Sequence, residues 1–285
     1  MAITFILFPL YIYPIANAWS KVFEQIKAKP NLIFDIVINI NNGPGSAANH
    51  PNSDWVNGIS QLHSYNNTRL LGYVHVSRAE RNYTAVAGDI EVWASWANYA
   101  AQNISMDGIF FDEAPSVGTT SELTYMKNAT TFARNEMAIS ESSSPIIVFN
   151  PGTTVPDDFY DIADYIVALE ETYAEYSKVD LSSVSSSVAS KSIFIVYDFT
   201  GSVSKQSDTI YDIANAGMGG IFISTKKNYF SISSYWSQFC TSMNNVVSGD
   251  DAEVTSASTS IKALSGSSVF QIVGYILLVL YLGLY

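Results

Sequence analysis

Carboxylates follow two of the apolar segments of this chain directly. Asp112 and Glu113 come after the apolar run 109–111, and Glu170 comes after the run 165–169. A carboxyl group beside a hydrophobic core is partly desolvated, which raises its pKa and suits it to act as a general acid. Two such groups facing each other could cleave a glycosidic bond, with one protonating the leaving oxygen and the other attacking the anomeric carbon or activating water. The structural alternative is that they cap helices or pair with lysines.

Polar side chains also follow the other apolar segments. We interpret them as substrate contacts, because amide groups both donate to and accept from sugar hydroxyls, and flat aromatic rings can stack on sugar rings. His75 could equally be a satisfied side chain at a barrel mouth, and Asn39 and Asn41 could simply form a tight turn with residues 43–45. The predicted substrate contacts are Tyr11, Tyr13, Asn39, Asn41, His75, Asn150, Tyr173, Tyr197 and Asp198.

Short β-rich segments recur along the chain and must position these residues. Most are continuous apolar runs, which is typical of parallel strands buried on both faces. Residues spaced as in an amphipathic helix lie between them, and we predict Asp89 and Ser121 as helix N-caps. The eight predicted strands cover residues 3–12, 32–40, 69–76, 107–111, 145–149, 164–169, 192–199 and 220–224.

Eight strands alternating with helices predict an α/β fold, a (β/α)8 TIM barrel over residues 1–245. An open doubly wound sheet is the alternative, but it would need a glycine-rich turn after the first strand, where the sequence has none. In a barrel, the carboxyl ends of the strands form the active face. The carboxylates and the polar residues should therefore meet there, with Asp112 and Glu170 facing one open cleft roughly 5–10 Å apart.

The composition excludes several classes of function. The net charge is −12, and no cluster of lysines and arginines is present, so we expect no nucleic-acid partner. A neutral or cationic substrate fits this acidic chain better. The single cysteine and the spacing of the three histidines give no metal-binding pattern. We therefore predict no metal and no cofactor, and we expect a monomer.

The C-terminal part of the chain predicts attachment to a membrane. A disordered Ser/Thr-rich spacer, residues 246–268, precedes an apolar segment without charge, residues 269–285. This order is typical of a GPI-anchor signal, with a transmembrane tail as the alternative. No N-terminal signal peptide is evident. We still expect an extracellular or cell-surface location, which is supported by N-x-Ser/Thr sequons at Asn66, Asn82, Asn103 and Asn128.

A series of short motifs runs through the chain. They are PLYIYP at 9–14, INNGPG at 40–45, LLGYV at 70–74, DGIFFDEAP at 107–115, VFNPG at 148–152 and ADYIVALEETY at 163–173. As a set, covering roughly residues 5–240, they resemble the spherulation-specific family 4 (spherulin 4) proteins of fungi and other microbes. The chain departs from the family's pattern at Asn39-Ile40, at residues 75–77 and at Tyr197-Asp198, all of which should line the substrate cleft.

The resemblance implies a TIM-barrel glycoside hydrolase of endo-acting, hexosaminidase type. Its substrate would be an α-1,4-linked, galactosamine-containing polysaccharide such as galactosaminogalactan, and its essential acids would be Asp112, Glu113 and Glu170. Glu170 is favoured over Glu171 because the family pattern places a tyrosine, here Tyr173, three residues after the glutamate.

The three acids are expected to have different roles. We predict Asp112 as nucleophile or transition-state stabiliser and Glu170 as general acid/base. Glu113 is expected to support them, because neighbours on a strand point to opposite sides. The alternative function is a non-catalytic carbohydrate-binding or structural cell-surface glycoprotein that keeps the barrel.

Overall fold

Eight parallel strands close into a barrel in which each strand pairs with the next along the chain and the last pairs with the first. The computed structural model describes residues 4–45, 50–138 and 144–249. The prediction of a TIM barrel is confirmed. The strands are β1 Phe5–Leu10, β2 Phe34–Ile38, β3 Thr68–His75, β4 Gly108–Asp112, β5 Ile146–Asn150, β6 Tyr165–Thr172, β7 Ser192–Tyr197 and β8 Gly220–Ile223.

The strands form where the sequence has continuous apolar runs. Every residue of β1, β2 and β8 is buried, because one face fills the barrel interior and the other packs beneath the helices. Strands β1, β2, β7 and β8 are shorter than predicted, since terminal residues of those runs already belong to loops, and β3, β4 and β5 differ from the prediction by one residue at each end. Strand β6 is longer, because it continues beyond the predicted end at residue 169 and carries Glu170 within the strand.

The helices that connect the strands surround the barrel. They are α1 Ser20–Ala28, α2 Ser53–His63, α3 Tyr83–Ser95, α4 Thr120–Glu136, α5 Tyr173–Tyr176, α6 Val203–Asn215 and α7 Trp236–Ser248. Between β6 and β7 the connection contains only the four-residue α5 and short 3-10 turns.

Both predicted N-caps are wrong. Helix α3 begins well before Asp89, at the cap Asn82, whose side chain accepts from the backbone N–H of Thr84 (2.8 Å), and Asp89 instead pairs with Arg81. Ser121 lies inside α4. There Thr119 forms a reciprocal capping box with Glu122, which satisfies two backbone donors at once.

Backbone strain concentrates at one end of the barrel. Among the described residues, every non-glycine residue with a positive φ lies in a segment that follows a strand and precedes a helix. Such conformations are unfavourable for residues with a Cβ atom and persist mainly at functional sites. The strain therefore points to a functional site at the carboxyl end of the barrel. These residues are Ala16, Asn42, Ser77, Arg78, Ala79, Glu113 and Asp198.

The predicted spacer lies mostly, and the apolar tail entirely, outside the described residues. Helix α7 extends to Ser248, so the first residues of the predicted spacer are helical. Within the ranges that the structure describes, no helix combines the length and apolar character needed to cross a membrane. The GPI-anchor and transmembrane alternatives both concern residues 269–285 and stay predictions.

Candidate active site

Asp112 is the last residue of β4, and its carboxylate accepts hydrogen bonds from two neighbouring strands. The hydroxyl of Tyr73, on β3, donates to Oδ2 (2.7 Å), and the amide Nδ2 of Asn150, at the end of β5, donates to Oδ1 (2.8 Å). Burial raises the pKa of Asp112, the charge of Glu113 raises it further, and these two donors and the backbone N–H of Glu113 oppose the rise.

Glu170 lies on β6 and faces the same space. Its Oε2 accepts from Nδ2 of Asn150 (2.6 Å), and its Oε1 accepts from the hydroxyl of Tyr229. Burial raises the pKa of Glu170, the two donors lower it, and the nearby charge of Asp112 raises it again. A carboxyl group in this setting holds a proton at a higher pH than an exposed glutamate.

One amide nitrogen bridges the two carboxylates. Because Nδ2 of Asn150 contacts both, the nearest oxygens of Asp112 and Glu170 are no farther apart than the two bonds together, about 5.4 Å. Oδ1 of Asn150 accepts from the backbone N–H of Gly152 (3.0 Å), which fixes the orientation of the amide. The carbonyl of Gly152 in turn accepts from the N–H of Glu170 (3.0 Å), so this turn joins the ends of β5 and β6.

Three tyrosines pack against one another beside the carboxylates. The ring of Tyr11 meets the rings of Tyr73 and Tyr229 edge-on, each at 5.6 Å between centroids. Burial raises the pKa of all three phenols, and the neighbouring carboxylates raise it further. Tyr73 and Tyr229 therefore remain protonated at neutral pH and serve as hydrogen-bond donors, while Tyr11, a predicted sugar contact, supports their rings.

A cavity of about 430 Å³ opens above these groups. Its walls come from the loops that follow β3, β4, β5, β7 and β8, as well as from β6. Of the residues predicted from the sequence, Asp112, Glu113, Asn150, Glu170 and Tyr197 line it. Arg78, Lys227 and Tyr229 also line it and were not predicted. Tyr229 lies well beyond the end of β8, where nothing in the local sequence points to it, whereas Tyr73 falls within the motif LLGYV.

The different placement of Asp112 and Glu113 does not come from the alternation of side chains along a strand. Strand β4 ends at Asp112, and Glu113 is the first residue of the turn that follows. Glu113 has a φ of 53°, is exposed and lines the cavity from its rim. Its carbonyl accepts from the backbone N–H of Arg78 (2.7 Å), which ties the loops after β3 and β4 together.

The asparagines predicted on the loop after β2 stabilise that loop. Oδ1 of Asn39 accepts from the N–H of Gly43 (3.0 Å), and the N–H of Asn41 donates to the Gly43 carbonyl (3.3 Å). His75 ends β3 beside Asp112, and its Nδ1 lies 3.3 Å from Nδ2 of Asn42. These residues lie at the carboxyl end of the barrel, but they are not among those that line the cavity.

The remaining predicted contacts are distributed around the mouth. Tyr13 is exposed and donates to Asp54 (2.7 Å). Tyr173 packs on Phe199, with 4.3 Å between ring centroids. Asp198 lies 3.4 Å from the ammonium of Lys227, one of the residues lining the cavity. In the described ranges, no three His, Cys, Asp or Glu side chains are grouped as a metal site would require.

Both the sequence and the fold of this chain are similar to those of known proteins. The model of the family described as Spherulin4, spherulation-specific family 4, matches residues 5–243. Aspergillus clavatus Sph3, whose crystal structure contains GalNAc, is 29% identical, with a TM-score of 0.77 over 85% of this chain and 97% of that chain. No curated protein matches this chain in sequence.

More distant structures share the fold alone. A chitinase from Rhizomucor miehei has a TM-score of 0.50 at 10% identity, over 84% of this chain and 99% of that one. An alpha-L-fucosidase from Paenibacillus thiaminolyticus has a TM-score of 0.55 at 13% identity, over 90% of this chain and 50% of that one. The family model spans the barrel from β1 into α7 and includes both bridged carboxylates. This chain belongs to the spherulation-specific family 4.

Proposed function

We propose that this protein is an endo-acting, retaining glycoside hydrolase that cleaves an α-1,4-linked, galactosamine-containing polysaccharide. The observation that carries the proposal is the pair of partly buried carboxylates, Asp112 and Glu170, bridged by a single amide nitrogen at the floor of an open cavity. Paired carboxyl groups at such a separation are the machinery of glycosidic cleavage.

The donors around each carboxylate distinguish their roles. Asp112 accepts from Tyr73, from Asn150 and from the backbone N–H of Glu113, whereas Glu170 accepts from Tyr229 and Asn150. Hydrogen bonds to a carboxylate favour its charged form, whereas the charge of a second carboxylate nearby disfavours it. The carboxylate that accepts fewer hydrogen bonds, Glu170, therefore holds the proton. Asp112 is therefore the nucleophile, and Glu170 is the acid that protonates the leaving oxygen and later the base that activates water.

The separation of the carboxylates favours retention of configuration. Retaining enzymes hold their carboxyl groups about 5–5.5 Å apart, while inverting enzymes need about 6.5–9.5 Å to place a water molecule between nucleophile and sugar. The nearest oxygens here are no more than about 5.4 Å apart. Asp112 can then attack the anomeric carbon directly and form a glycosyl-enzyme intermediate that water hydrolyses.

Two observations support an amino-sugar substrate. Sph3, at 29% identity, was crystallised in complex with GalNAc, and the alignment covers nearly all of that chain. The net charge of −12 attracts partly deacetylated, cationic polymers. Tyr197, on the cavity wall, offers an aromatic ring for stacking on a sugar.

The test is incubation of the purified protein with galactosaminogalactan, followed by mass spectrometry of the products. We expect oligosaccharides of several lengths, as an endo-acting enzyme releases, and NMR of the first product should show the α-anomer. Binding without product would instead support the non-catalytic carbohydrate-binding alternative. A first-formed β-anomer would contradict retention while leaving the hydrolase in place.

For the location of the protein we propose a GPI anchor at the cell surface, on the strength of the Ser/Thr-rich spacer and the uncharged terminal segment 269–285. A phosphatidylinositol-specific lipase should release the protein from intact cells. Mature protein that still contains Tyr285 would contradict the anchor.

A further inference from the structure

A second groove, separate from the active-site cavity, lies between the start of α3 and the first three turns of α4. Its volume is about 790 Å³, larger than the cavity above the carboxylates. Its lining is almost entirely aromatic, hydroxyl and amide, and no charged side chain contributes to it. Its lining includes Tyr83, Tyr125, Thr119, Thr120, Thr124 and Asn128.

The two tyrosine rings are held in place by the protein itself. Tyr83 is 37% exposed and meets Tyr125 edge-on at 6.0 Å between centroids. The hydroxyl of Tyr83 donates to the carbonyl of Asn128 (3.3 Å), and that of Tyr125 donates to the carbonyl of Arg81 (2.7 Å). Because both hydroxyls are already engaged within the protein, the rings offer a ligand mainly their apolar faces.

Polar groups of moderate strength surround these rings. The hydroxyl of Thr124 donates within the protein but keeps lone pairs that can accept, and the exposed amide of Asn128 can both donate and accept. An exposed ring bordered by uncharged hydroxyl and amide groups matches a sugar, which has an apolar C–H face and a rim of hydroxyls. A neighbouring carboxylate, that of Glu122, already accepts from the N–H and the hydroxyl of Thr119, so the lining itself favours an uncharged sugar over a cationic one.

The groove lies at the same end of the barrel as the active-site cleft. Helix α4 follows β4, whose last residue is Asp112, and the exposed Val117 lies on the loop between them. In the part of the chain that the structure describes, all the exposed large hydrophobic residues lie at this same end of the barrel, in loops after strands or on the first residue of the next helix. They are Tyr13, Ile15, Tyr83, Val117, Val203 and Phe230.

We propose that this groove is a second carbohydrate-binding site, which holds uncharged, N-acetylated sugar residues of a polysaccharide strand whose scissile bond lies in the cleft. The identity of the polysaccharide rests on the proposed function, whereas the groove is a separate site with its own chemistry. It would keep a long polymer on the enzyme between cleavage events and would add little for a substrate too short to leave the cleft.

The test measures binding without turnover. The full chain is produced in bacteria, so that the sequons at Asn82 and Asn128, both beside the groove, carry no glycan. Glu170→Gln is introduced to prevent cleavage. Binding to a long N-acetylgalactosamine polymer is compared with and without Tyr83→Ala by co-sedimentation. We expect Tyr83→Ala to weaken binding about tenfold, as for the loss of one aromatic contact, and Tyr83→Phe to bind like the parent.

A second variant guards against a folding defect in Tyr83→Ala. Thr124→Arg places a long cationic side chain in the groove on an exposed helical position and should weaken binding by a similar factor. Its matched control is Thr241→Arg on α7, where an exposed threonine makes the same bond to the carbonyl four residues earlier (Thr124 to Thr120, 2.6 Å; Thr241 to Ser237, 3.0 Å). The control should bind like the parent.

The outcomes separate the two proposals. If the polymer binds and neither Tyr83→Ala nor Thr124→Arg weakens binding, or if the parent does not bind the polymer at all, the groove is not a carbohydrate site. If binding depends on Tyr83 but the protein with Glu170 intact releases no product, the groove stands and the hydrolase proposal fails.

Discussion

At the scale of single residues, the structure shows bonds from Asn150 to both carboxylates, while the sugar contact predicted for it stays a prediction. Both hydrogens of its amide point at carboxylates, and its oxygen accepts from the N–H of Gly152. It has no hydrogen left to donate to a substrate. Asn150 acts by holding Asp112 and Glu170 at a fixed separation and by stabilising their charged forms, which makes it a positioning residue.

The two bridged carboxylates should be indispensable for turnover. We expect Asp112→Asn or Glu170→Gln to lower kcat by about 10²–10⁴-fold, the range typical of lost acid–base assistance, with the thermal unfolding midpoint nearly unchanged. Glu171→Gln is the matched control and should stay close to wild type, because Glu171 does not line the cavity. Loss of activity in Glu171→Gln with retention in Glu170→Gln would reverse the assignment.

Tyr229 should set the upper pH limit of activity through Glu170. Its hydroxyl donates to the carboxylate and thereby lowers the pKa of Glu170. In Tyr229→Phe this donor is lost, the charged form is less favoured, and the pKa of Glu170 rises further above its ordinary value. Since the acid must be protonated to act, the alkaline limb of the pH profile of kcat should move to higher pH.

The control for this shift is Tyr197→Phe, which removes a hydroxyl from the same cavity without removing a bond to Glu170. Its alkaline limb should stay in place, whatever happens to KM. An alkaline limb that moves to lower pH in Tyr229→Phe, or that does not move, would mean that Glu170 is not the group titrating there.

At the scale of elements, an irregularity in strand β6 affects which of the adjacent residues Glu170 and Glu171 faces the cavity. The pairing of β6 with β7 shifts register between Val167 and Leu169, where Ala168 is an extra residue. Such a bulge changes the direction in which the following side chains point. The alternation of side chains from the start of β6 therefore does not predict which glutamate faces the barrel mouth. The hydrogen bonds from Asn150 and Tyr229 show that it is Glu170.

The close approach of β4 and β5 depends on Gly108. A Cβ atom at this position would lie 1.9 Å from the carbonyl oxygen of Ile146, which is backbone and cannot turn away. Gly108→Ala should therefore destabilise the fold by about 1–3 kcal/mol or more and lower kcat, because β4 and β5 carry Asp112 and Asn150. Denaturant unfolding together with kcat measures both effects.

Gly88 offers the matched substitution in a helix. It lies in α3, and a Cβ atom there would have nothing within 4 Å. Gly88→Ala should raise the free energy of unfolding by roughly 0.5–1 kcal/mol, because alanine loses less backbone entropy on folding than glycine. Equal effects of the two substitutions would show that the contact between β4 and β5 is looser than the structure indicates.

At the scale of the whole molecule, three kinds of feature collect at the carboxyl end of the barrel. The partly buried carboxylates, the described non-glycine residues of positive φ and the exposed large hydrophobic side chains all lie there. The opposite end holds structural pairs such as Asp35 with Arg69 (2.5 Å), at the starts of β2 and β3. The division follows from the parallel topology, which places all the loops after strands on one side.

The acidic character of the chain should be visible in the dependence of activity on salt. With a net charge of −12, the protein attracts a cationic polymer from a distance, and salt screens this attraction. We expect kcat/KM for partly deacetylated galactosaminogalactan to fall several-fold between about 0.01 and 0.15 M salt, as the Debye length shortens from about 30 to about 8 Å. The fully N-acetylated polymer is the control and should change little, and equal salt dependence of the two would contradict steering.

The barrel, the order of its strands and the end at which the acids lie could all be predicted from the amino-acid sequence. A continuous apolar run such as that of β1 favours a strand buried on both faces, and the alternation with helical segments leaves few topologies. The family resemblance added the choice of Glu170. Capping was mispredicted, because Asn82 and Thr119 act through short local bonds that other polar residues nearby could equally have formed.

The groups that surround each carboxylate became apparent only in the folded protein. Tyr73, Asn150 and Tyr229 come from the third strand, the fifth strand and the loop after the eighth, and they meet because the barrel closes. Such contacts depend on the register between strands and on the path of a loop. Neither can be predicted from the spacing of apolar residues along the sequence. The same reason explains why the groove between α3 and α4 could not be foreseen: residues far apart in the sequence form it only after the helices pack.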